Sequence, residues 1–285
     1  MAWFWLTLIY LLFLTTAQVV NKKALNKLDI DEVVFGASVQ VATAVVSLFL
    51  VALTGWSFTF NSTSIPIFIG MVVVYFFAVS LYYMGLKKVD LSLTSILDSA
   101  GAIFSLILGT LILRENLDVG KVLGVVLIIC SGLVLFLKNK GASFNKFSLI
   151  IIISSFFYAL GAIFDKKLNS FGNPLSYIVL SFGFAGLSIL LIHYKRTIKA
   201  LKGSFRDKSF WTGITTNGLL YAFGFWSLFE AYNKGGEVSR MFPITLSGSV
   251  LVPIAGIVIL KERNNIPRKI IALLIMVAGL WFLGK

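Results

Sequence analysis

Asp98 is the only acid between Leu91 and Leu113, in a run otherwise made of apolar residues, hydroxyls and glycine. A carboxylate in such a setting is costly to remove from water and by default marks a solute path, a proton site or an ion pair. Ser95, Asp98, Ala102, Ser105 and Gly109 recur at three- and four-residue steps, so a helix gathers them into one small, polar stripe. That stripe can line a water-filled cavity, with Asp98 binding or coupling. Alternatively it lets helices pack closely while Asp98 pairs with a lysine near the interface.

Other candidates are amphipathic side chains within apolar segments. Asn217 and Tyr221 lie four residues apart and share a helix face; Trp226 and Glu230 do the same nearer the segment's end. Thr245 follows Pro243, which removes a backbone donor. Gln18 and Gln40 are amides that either hydrogen-bond a ligand or bridge helices. A few such groups among aromatic rings (Tyr75, Tyr82 and Tyr83 supply some) suit a small polar solute, although Tyr and Trp also anchor membrane interfaces.

Enzyme chemistry is poorly supplied. His193 and Cys130 are each the only residue of their type, so no disulfide framework or metal-ligand spacing exists. A membrane-embedded transferase would need clustered acids, histidines or metal ligands at one interface. No nucleotide-binding loop is present. No cofactor and no enzymatic activity are expected.

The elements that must position these residues are set by composition. Of the 285 residues 58% are hydrophobic and 13% charged, and Val33 to Leu86 carries no charge at all. A soluble domain needs a charged surface, whereas a bilayer core penalises charge. The chain reads as an all-α polytopic membrane protein.

A membrane helix takes about 20 mostly apolar residues. Ten segments qualify: Ala2–Val20, Val33–Leu53, Pro66–Leu86, Leu91–Leu113, Val119–Leu137, Phe147–Phe164, Pro174–Ile192, Ser209–Tyr232, Val238–Leu260 and Ile266–Leu283. The first lacks a basic leader and a small-residue cleavage site and is expected to be retained.

Half of this pattern repeats the other half. Lys87–Leu137, shifted by 147 positions, lies without a gap on Lys234–Gly284. Ser92 meets Ser239, Gly101 meets Gly248, Gly109 meets Gly256, Glu115 meets Glu262 and Gly132-Leu133 meets Gly279-Leu280. The polar stretch 138–146 divides a first unit, 1–140, from a second, 141–285. Five helices per unit is odd, so the second copy enters the membrane upside down. Two inverted five-helix repeats place a site where the halves meet.

The net charge of +13 fits short basic loops facing anionic head groups better than nucleic acid, which is not expected as a partner. Seven basic residues fall on the side of the termini and eighteen on the other, including Lys195, Arg196, Lys199, Lys202, Arg206 and Lys208 in one loop. Positive-inside reasoning puts that loop in the cytoplasm and both termini outside. Glu115 and Glu262 sit beside basic residues and are expected to form local surface pairs of small energy, with turn geometry or gating as their role. Gly120 and Gly124, spaced as small-xxx-small, are expected to pack against a helix of this chain or of a second copy in a homodimer.

Leu113-Arg114-Glu115 with Gly124 and Gly132, Leu260-Lys261-Glu262 with Gly279, and the run Tyr232 to Pro243 (YNKGGEVSRMFP) carry a family resemblance. With ten segments in two halves, they resemble the drug/metabolite transporter superfamily, closest to its EamA-type members. The resemblance implies an integral membrane transporter with both termini in the cytoplasm, opposite to the charge count. It departs where members commonly have Gly before the Glu, since Arg114 and Lys261 stand there. Related small multidrug pumps carry a glutamate in their first helix; here that helix offers only Gln18.

Together these readings lead to a secondary-active exporter of small polar metabolites such as amino acids, in the plasma (inner) membrane. It would work by alternating access, coupled to a proton or to counter-exchange. The alternative on the same fold is a flippase for lipid or a lipid-linked carrier, which would need basic groups for a phosphate.

Overall fold

The computed structural model describes residues 2–27, 31–86, 89, 97–136, 146–204, 207–251 and 266–285. Eleven helices are assigned among them: α1 Ala2–Lys27, α2 Glu32–Thr54, α3 Ser64–Leu86, α4 Ala100–Leu113, α5 Val119–Phe136, α6 Lys146–Asn169, α7 Pro174–Ile192, α8 Tyr194–Ser204, α9 Lys208–Asn233, α10 Val238–Leu246 and α11 Ile266–Gly284. Each of the ten expected segments carries a helix, and the chain is an all-α polytopic membrane protein. Six helices among the described residues are long and apolar enough to span a bilayer, and α4 and α5 are shorter apolar helices. Leu53, Leu111 and Val119 are 85%, 73% and 74% exposed, an apolar surface that lipid rather than water must cover.

Local chemistry sets the helix ends. Asp31 accepts from the Val33 and Val34 amides at the start of α2, and Asp207 accepts from Ser209 at the start of α9. Asn173 caps α7 through the Ser176 amide, with Pro174 at the first helical position. Arg114 ends α4 in the left-handed region, at φ 56° and ψ 34°.

Two boundaries depart from expectation. The stretch after α7 forms the helix α8 instead of a loop, because Ile198 and Leu201 fall on one side of Lys195, Arg196, Lys199 and Lys202. Helix α6 continues past Phe164 to Asn169 and carries Asp165 inside it. Charge alone does not stop a helix whose backbone bonds can continue.

Packing respects an exchange of halves. α1 lies on α9 as α6 lies on α3, and α2 lies on α9 as α7 lies on α3. The pairs α2·α7, α5·α11 and α4·α10 map onto themselves. Gly124 accepts the close approach of α11: a Cβ there would come 2.5 Å from Leu283 Cγ. On the side of the termini, the α2–α3 connection pairs with the α6–α7 connection through Thr59 N–H to the Phe171 carbonyl, 2.9 Å, and Asn173 N–H to that of Ser57, 2.7 Å.

Candidate functional site

A cavity of about 100 Å³ lies among α2, α3, α6, α7 and α9, so both halves of the chain wall it. Gln40, Tyr75, Tyr158, Asp165, Ser181, Phe182, Ala185 and Phe225 line it. Asp165 is 4% exposed and sits one helical turn beyond Gly161. The Tyr75 hydroxyl donates to one carboxylate oxygen at 2.5 Å and the Tyr177 hydroxyl to the other at 2.6 Å. Such short bonds are the strong kind that an ionised acceptor makes. Gly161 permits this geometry, because a Cβ on it would lie 2.8 Å from the Tyr75 ring. Asp165 makes no ion pair among the described residues. The Gln40 Oε1 is buried and has no hydrogen-bond partner.

The next residue along α6 belongs to a different assembly. Lys166 Nζ donates to Glu115 Oε1 at 2.9 Å. The same carboxylate accepts from the backbone amides of Val238, 2.8 Å, and Ser239, 2.9 Å, at the start of α10. Helix α10 needs this help, because its own N-cap, Glu237, makes no capping bond. The Glu237 carboxylate is taken by Lys121, 2.9 Å, and Arg240, 3.0 Å, and Arg240 also holds Asp118 at 2.7 Å. Burial pushes the Glu115 carboxyl up, but the Ser239 and Lys166 contacts outweigh it and hold the pKa below its ordinary 4.5. This cluster clamps the α4–α5 turn of the first half to α10 and α6 of the second. Gly109 makes room for it, since a Cβ there would come 2.6 Å from Glu115 Oε2.

Of the sequence candidates, Gln40 and the Tyr75 ring line the cavity. Asp98 is half-buried and accepts from the Ser155 hydroxyl of α6 at 2.9 Å, where the expectation allowed a lysine. Ser95 lies outside the described residues, as does Glu262. The rest of the stripe packs: Gly101 meets Phe242, Gly109 meets Ser239, and Ala102 and Ser105 are fully buried. Thr245 bonds the Phe242 carbonyl within its own helix, 2.7 Å. Asn217 is fully buried and donates to the Gly213 carbonyl at 2.8 Å, with its Oδ1 unpartnered. Tyr221 receives a bond from Asn21 at 3.2 Å. Trp226 is 42% exposed, and Glu230 pairs with Lys234 at 3.5 Å near the helix end.

Two expectations are corrected by this geometry. Gln18, expected to meet a ligand or bridge helices, is exposed on α1, because Leu11, Thr15 and Ala17 are the residues around it that turn inward. Glu115 is 7% exposed and bonds across the two halves rather than forming a local surface pair with Arg114 or Lys121. Its true partners are more than fifty residues away in sequence, beyond the reach of spacing arguments.

The comparisons with known proteins agree with this architecture. The sequence matches the EamA-like transporter family over residues 1–137 and 145–284. The chain belongs to that family. An uncharacterized transporter in the sor 3′ region of Acidianus ambivalens is 31% identical over 127 residues, which make up 43% of this chain and 50% of that one. The chain therefore aligns with about half the length of this curated relative. A crystal structure of another protein superposes with a TM-score of 0.77 over 98% of this chain and 95% of its own, at 13% identity. That likeness is one of fold.

Proposed function

We propose that the chain is a secondary-active exporter of small polar metabolites, amino acids among them, working by alternating access in the plasma membrane. The cavity shared by both halves carries this reading: it sits where an inverted-repeat transporter holds its solute. Rocking of one half against the other would expose it to each side in turn. The Glu115 clamp serves as the gate on the face of the termini, because any rotation that opens that face must break its bonds to α10. Since nothing resembles a nucleotide-binding loop, the driving force is a coupling proton or counter-exchange of solute.

The test is flux in proteoliposomes holding the purified full chain, with labelled amino acids and small metabolites, with and without a pH gradient. Saturable, gradient-sensitive solute flux is the expected result. Absence of any solute flux together with movement of a labelled phospholipid would replace this reading by the flippase.

A further inference from the structure

We infer that the cavity is a recognition site for a primary ammonium group, with Asp165 as its counter-ion. The inference rests on the transport reading for its biological use but stands on the cavity's own chemistry. A buried carboxylate normally has a cationic partner, because a lone charge taken from water costs several kcal/mol. Asp165 has none among the described residues. Its two phenolic partners donate to it, bonds that favour the anion against the cost of burial, and the carboxylate lines the cavity. What completes such a site is a cation.

The remaining lining selects the kind of cation. A primary ammonium carries three N–H donors and no acceptor. The walls hold acceptors in that number: the Asp165 carboxylate, which keeps free lone pairs beside its tyrosine bonds, the Gln40 Oε1, buried in the wall without a partner, and the Ser181 oxygen. Ser181 is committed only to a long 3.5 Å contact with the Ile178 carbonyl. Rings of Tyr75, Tyr158, Phe182 and Phe225 complete the wall, and aromatic faces attract a desolvated cation. A metal ion would not use the apolar part of this wall, and a guanidinium carries five N–H donors where the wall holds three acceptors. At about 100 Å³ the space holds a head group and its first carbons, not a large solute.

The experiment is calorimetric binding to the purified full chain in detergent, with n-butylammonium as probe beside tetramethylammonium, n-butanol and butyrate. Butylammonium should bind saturably. Tetramethylammonium, which has charge but no N–H, should bind at least about a hundredfold more weakly, because all three hydrogen bonds are lost. The neutral and anionic probes should not bind. Asp165→Asn should weaken butylammonium by roughly a hundredfold, and Gln40→Leu by about tenfold. Gln40→Leu keeps the test decisive should Asp165→Asn fail to fold, since loss of the amide acceptor leaves the carboxylate in place. Equal binding of butanol or butyrate, or undiminished butylammonium affinity in Gln40→Leu or a folded Asp165→Asn, overturns the inference. In vesicles, flux of amine-free solutes that butylammonium does not inhibit overturns it while transport stands. Butylammonium binding with the expected losses but no solute flux keeps the site and removes the transport reading.

Discussion

Asp165 and Glu115 are both buried carboxylates, 4% and 7% exposed, and Lys166, next to Asp165 on α6, reaches the other acid. Their surroundings are opposite. Glu115 has a lysine and two backbone amides at a helix start, which together balance its charge. Asp165 has two phenols and a cavity. A balanced buried acid holds elements together, and an unbalanced one waits for a ligand. The contrast lies within a single turn of α6, so solute in the cavity and the lock on the face of the termini act on one rigid element.

The widest test of this contrast is Asp165→Asn. It should cut flux of ammonium-bearing solutes by roughly a hundredfold, the loss of a charge-assisted contact. Thermal unfolding in detergent should stay unchanged or rise, because removing an uncompensated buried charge removes its desolvation cost. A variant that transports normally and melts several degrees lower would make Asp165 a structural anchor like Glu115, and the contrast would collapse.

Glu115→Gln is the mirror experiment. It should cost about 2 kcal/mol in denaturant unfolding, because Lys166 and the start of α10 lose a charged acceptor. The same variant should raise labelling of a cysteine placed at Ser239. The pKa of Glu115 in the fold lies below its ordinary 4.5, so its stabilisation is complete above that pH and is lost as pH falls through the lowered value. Labelling at position 239, taken relative to a free cysteine at the same pH because only the thiolate reacts, should therefore climb below about pH 4.5 in the parent and stay high and flat in Glu115→Gln.

How much of this was legible in the sequence depends on the range of the interaction. Helix positions follow from apolar run length, and the repeat at offset 147 is a matter of matching residues. Asp98 stood out because it interrupts an apolar run, yet the structure gives it one serine hydroxyl. Asp165 was hidden by its neighbours: Asp-Lys-Lys looks like a solvated helix end, and nothing local says that α6 continues to Asn169. Tyr75 lies 90 positions from Asp165, and the Val238 and Ser239 amides lie more than 120 from Glu115. One signal was available: Gly161 four residues before Asp165 leaves a gap on the same helix face, where a large side chain from elsewhere could enter.

Glycine substitutions separate the two regions more finely. Gly161→Ala places a methyl 2.8 Å from the Tyr75 ring and should lower flux about tenfold, by loosening the bond that orients Asp165. Labelling at position 239 should not change. Gly109→Ala places its methyl 2.6 Å from Glu115 Oε2 and should do the reverse, raising labelling and costing about 1–2 kcal/mol of stability. If both substitutions changed both readouts equally, α6 would couple the regions too tightly for them to count as distinct.

The smallest effect concerns how the lock is presented. Arg114 ends α4 at a positive φ of 56°, a conformation that costs an L-residue about 1 kcal/mol and glycine nothing. The EamA resemblance puts glycine at this position before the glutamate, and the geometry supplies the reason: the turn must reverse sharply for Glu115 to reach α10. Arg114→Gly removes that strain but adds freedom to the unfolded chain, so the net gain should be only about 0.5 kcal/mol. The readout is a slightly later unfolding midpoint with unaltered amine binding, since Arg114 is not among the residues lining the cavity. A loss of stability would mean that the guanidinium makes contacts worth more than the strain, and the Glu115 region would then depend on Arg114 as well as Lys166.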